Sequence, residues 1–82
     1  MLKNEIQEWI DGELKGRETK PFIYQGNFIK ISDGWLDALR FGLNHSIEEV
    51  EQRYKEQQIK IDIENDFYGA GYLKALKMIL EN

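Results

Sequence analysis

Residues 34–43, GWLDALRFGL, and 71–80, GYLKALKMIL, align without a gap and set Gly34 on Gly71, Leu36 on Leu73, Ala38 on Ala75, Leu39 on Leu76 and Leu43 on Leu80. Aromatic and basic positions match too, Trp35 with Tyr72 and Arg40 with Lys77. Glycine-aromatic-leucine-x-alanine-leucine is what any tightly packed amphipathic helix looks like. A sharper reading is a pseudo-symmetric pair of core helices that meet at their small residues. Both readings demand two apolar helices from a chain of 82 residues. A chain of that length forms one domain, 1–82, which buries about 60–65% of the surface its unfolded state exposes. Neither reading supplies chemistry.

The remaining elements follow from periodicity and breakers. Leu2, Ile6, Trp9, Ile10 and Leu14 recur at helical spacing, so 2–15 reads as an amphipathic helix ended by Gly16. Pro21 makes Lys20 extended. The run PFIYQGNFIKIS at 21–32 has two short β-rich pieces around Gly26-Asn27, a pair suited to a tight hairpin. Tyr24 would face Ile29 and Phe22 would face Ile31, with Ile23, Gln25, Phe28 and Lys30 on the other side. Ser32 then caps a short central helix that Asn44 and His45 break. Ser46 with Glu49 forms a capping-box pattern, opening an acidic helix through Ile47, Val50 and Tyr54. Residues 59–63, IKIDI, alternate like an edge strand, but no Gly or Pro lies between Leu43 and Tyr68, which favours helix. Asn65 or Asp66 caps a last helix through Tyr68, Tyr72, Leu73, Leu76, Ile79 and Leu80.

The expected fold class is therefore α+β: an N-terminal helix, a β-hairpin at about 21–32 and two to three further helices. Its core would hold Leu2, Ile6, Trp9, Ile10, Phe22, Tyr24, Ile29, Ile31, Trp35, Leu36, Leu39 and Leu43, with Val50, Tyr72, Leu73, Leu76, Ile79 and Leu80 closing it from the second half.

Charge is distributed unevenly. Residues 46–66 carry Glu48, Glu49, Glu51, Glu56, Asp62, Glu64 and Asp66 against Arg53, Lys55 and Lys60, which accounts for the whole net charge of −4. Such a block repels nucleic acid and attracts basic surfaces. The chain has no cysteine, so no disulfide framework or thiolate metal site forms, which suits a reducing cytoplasm. No stretch reads as a signal peptide or a membrane span, and no membrane partner is expected.

The motifs that suggest chemistry each lack an essential part. Asp62-x-Glu64-x-Asp66 opens like a calcium loop, but the sixth and twelfth positions are Phe67 and Leu73 instead of Gly and Glu. His45 is the only histidine, and no nucleophile is placed beside it except Ser46, which suits a helix cap. Gly69-x-Gly71 lacks the third glycine and the preceding strand of a dinucleotide site. Neither an enzyme nor a cofactor is expected. Ala38-x-x-x-Gly42 before a capped helix has helix-turn-helix spacing, but its recognition helix would begin SIEEVEQRYKEQ and drive glutamates toward phosphates.

In size, acidity, lack of cysteine and the ending FYGAGYLKALKMIL, the chain resembles small accessory proteins of Gram-positive phages and mobile elements. That group includes anti-CRISPR and anti-restriction inhibitors. The resemblance implies a non-enzymatic protein-binding module in a bacterial cytoplasm, which presents an acidic helix to the basic surface of a nuclease or other nucleic-acid-binding host protein. On the residues themselves, the partner-binding set is Glu48, Glu49, Glu51, Tyr54, Glu56, Asp62, Glu64 and Asp66, with aromatic and aliphatic anchors among the charges. Two alternatives stand beside it. One is a homo-oligomeric adaptor sealed by Ile47, Val50, Tyr54 and Ile61; the other is a divergent helix-turn-helix regulator.

Overall fold

The structure is a computed structural model that describes residues 2–60, 62 and 65–82. Its order is α1 (Leu2–Thr19), α2 (Gly26–Asn44), α3 (Ile47–Lys60) and α4 (Phe67–Leu80), with no strand among the described residues. The fold is all-α, which corrects the expected α+β class and its hairpin.

The correction turns on residues 21–32. Lys20 to Gln25 form a compact turn, and the chain is helical from Gly26 onward. Gly26 does adopt a positive φ of 55°, the backbone region a tight hairpin turn uses, but it sits at the first residue of a helix. The alternating pattern of 21–32 also contains a helical one. Ser32, Leu36 and Leu39 recur at i, i+4 and i+7 and are buried, as are Gly34, Ala38 and Gly42 at i, i+4 and i+8. A two-stranded hairpin has unpaired edges and marginal stability, whereas a helix satisfies its own backbone and lengthens α2 by about two turns. Phe22, assigned to the core, is instead 71% exposed. Ser32 is not a cap but a buried mid-helix side chain.

The α2–α4 pair is the centre of the molecule and its most extensive helix contact. A Cβ on Gly34 would collide with the carbonyl of Tyr68, and one on Gly71 would collide with the carbonyl of Ile31. Each carbonyl lies three residues before the opposite glycine, so the contact is related to itself by a local two-fold. Farther along, Gly42 meets Ile79, its own alignment partner, so the two helices run in the same direction. This is the pseudo-symmetric pair of the sharper sequence reading. Small residues let the two backbones touch, and Ala38 and Ala75 are fully buried beside them.

Helix α1 packs antiparallel on α2, held at both ends. Lys3 donates to the carbonyls of Leu43 (2.9 Å) and His45 (2.8 Å), and to that of Gly42, covering the negative end of α2. At the other end Arg17 pairs with Asp33 at 2.9 Å, and the Ser32 hydroxyl donates to Glu13 at 2.7 Å. Gly16 does not end α1, and its missing side chain makes room for the Tyr24 hydroxyl. Ile6, Ile10, Leu36, Leu39, Val50, Tyr72, Leu76 and Ile79 fill the core, as the spacing predicts.

Candidate interaction surface

Helix α3 begins where the sequence places it. The Ser46 N–H donates to Glu49 Oε1 at 2.9 Å and the Glu49 N–H donates to Ser46 Oγ at 3.2 Å, a reciprocal capping box. The Ser46 N–H first, and its hydroxyl second, hold the Glu49 carboxyl below its ordinary value.

From there the helix divides into two sides. Val50 is buried, and Tyr54 packs against the core cluster, not into solvent. Arg53 is committed as well: its guanidinium sits 4.3 Å over the Phe41 ring and Nη1 donates to the Tyr72 hydroxyl at 3.0 Å. The inner side thus takes one of the segment's three cations away from the carboxylates. On the outer side Glu48, Gln52, Lys55 and Ile59 follow one line at i, i+4, i+7 and i+11, flanked by Glu51 and Glu56, all exposed. Ile59 is 88% exposed. Lys55 pairs with Glu51 at 3.1 Å within the helix, and Glu56 accepts from Gln52 at 3.2 Å. Glu48 has no partner among the described residues.

The eight expected binding residues are therefore not one column. Glu48, Glu51 and Glu56 share the outer face, and Glu49 stands at the helix start as a cap. Asp62 is exposed beyond the end of α3 and accepts from the Asn65 amide at 2.8 Å. Asp66 caps α4 by accepting from the Gly69 N–H at 2.7 Å. Glu64 lies outside the described residues, and so does Ile61, the second expected anchor. The oligomer stripe loses Val50 and Tyr54 to the interior, leaving Ile47 at 45% exposure. Ile59 is a surface anchor absent from the expected set; in helical register it lies one turn beyond Lys55 and Glu56.

Between α2 and α3 lies a groove of about 230 Å³ lined by Phe41, His45, Glu49, Gln52, Arg53 and Glu56. The His45 ring stacks on Phe41 with centroids 3.8 Å apart and planes 13° from parallel. Its Nδ1 lies 2.8 Å from the Phe41 carbonyl, which can only accept, so Nδ1 carries the proton. No nucleophile faces it, since the Ser46 hydroxyl is spent on the cap. The groove already holds a cation, because Arg53 lines it between Glu49 and Glu56 and covers the Phe41 ring. No cluster of three or more metal-ligating groups occurs among the described residues, and no helix among them is long and apolar enough to cross a membrane.

The helix-turn-helix reading finds its small residues spent on packing. Ala38 is fully buried, and Gly42 lies against Ile79 and Ile6. The would-be recognition helix turns Glu48, Glu51 and Glu56 outward, opposite in sign to a phosphate-binding surface. No protein-family model, curated protein or solved structure matches the chain.

Proposed function

We propose that the chain is a non-enzymatic protein-binding module that offers the outer face of α3 to a basic partner surface. One observation carries the reading. Ile59, almost fully exposed, shares with Glu48, Glu51, Glu56 and the Glu51-paired Lys55 a face that has no packing duty. An apolar anchor inside a charged rim is how interfaces are built, and the rim's sign selects cationic partners and speeds encounter. Basic surfaces of this kind belong above all to proteins that bind nucleic acid, so the module acts as an inhibitor that occupies such a surface, in the manner of phage anti-defence proteins. The test is affinity capture from a bacterial lysate at low and high salt, with the wild type and a variant carrying Glu56→Lys and Ile59→Ser as baits. Proteins recovered by the wild type at low salt and lost with both the variant and high salt support the reading. Recovery that ignores both changes overturns it.

A further inference from the structure

We draw no further inference here: the strongest candidate, the apolar strip of Phe28, Ile31 and Trp35 where α1 and α4 diverge across α2, carries both signs of charge on its rim, and nothing in the structure shows what covers it.

Discussion

At the scale of single residues, two side chains make the protein's pH dependence legible. Glu49 is held below its ordinary pKa by the Ser46 backbone N–H and hydroxyl, so its contribution to α3 is complete above the ordinary carboxylate value and is lost as pH falls through the depressed one. Ser46→Ala keeps the N–H and removes the hydroxyl, so the Glu49 titration, followed by carbon-13 NMR of its carboxyl, should move part of the way toward the ordinary value; a wild-type titration already at that value would mean that the cap does not form in solution. Tyr68 lies at the opposite end of the scale. Burial comes first, followed by its hydrogen bond to Asp37, and together they push its phenol up to about 12. The protonated form is the favoured one, so its contribution is intact below the ordinary tyrosine value near 10 and fades as pH rises through about 12. Ultraviolet titration should show one phenol ionising near 12, and Tyr68→Phe should remove that step.

At the scale of elements, the α2–α4 contact makes the same substitution do opposite things at two glycines. Gly34→Ala drives a methyl into the Tyr68 carbonyl, and backbone cannot give way as a side chain can. The loss should be about 3 kcal/mol, outweighing the ~1 kcal/mol gain in helix propensity and lowering Tm by more than 10 °C. Gly12→Ala meets nothing within 4 Å on the exposed side of α1 and should stabilise by ~0.5–1 kcal/mol. Equal shifts in the two melts would contradict the packing. Lys3→Met removes the cation that covers the end of α2 and should cost about 1–2 kcal/mol in urea unfolding.

These elements also mark how far the residues alone could be read. The paired glycines, the Ser46–Glu49 box, the Asp66 cap and most of the core lie in local patterns, which periodicity and cap chemistry register directly. The start of α2 does not. In FIYQGNFIKIS, period two and period four overlap, and what decides between them is Gly71 of α4, forty residues away, whose bare face needs the Ile31 carbonyl on a helix. Lys3 and the Ser32–Glu13 bond are likewise long-range and carry no local signature. The acidic block was legible as composition, but its partition was not. Only the fold separates Arg53 and Tyr54, turned inward, from Glu48, Glu51, Glu56 and Ile59, turned out.

At the scale of the whole molecule, the four helices of the described residues build a small unit whose α3 face is acidic around one aliphatic anchor. Structure and binding should therefore separate cleanly on α3. The most direct test is to melt and assay the same Glu56→Lys/Ile59→Ser variant against whichever basic protein the wild type captures. Surface changes without packing duty shift stability by only about 0.5 kcal/mol, which for this length is roughly 2–4 °C. The account predicts a Tm within that margin of the wild type and at least a tenfold loss of affinity. A large fall in Tm, or an unchanged affinity with the fold intact, would show that the outer face of α3 serves the fold or serves nothing, and that the partner binds elsewhere.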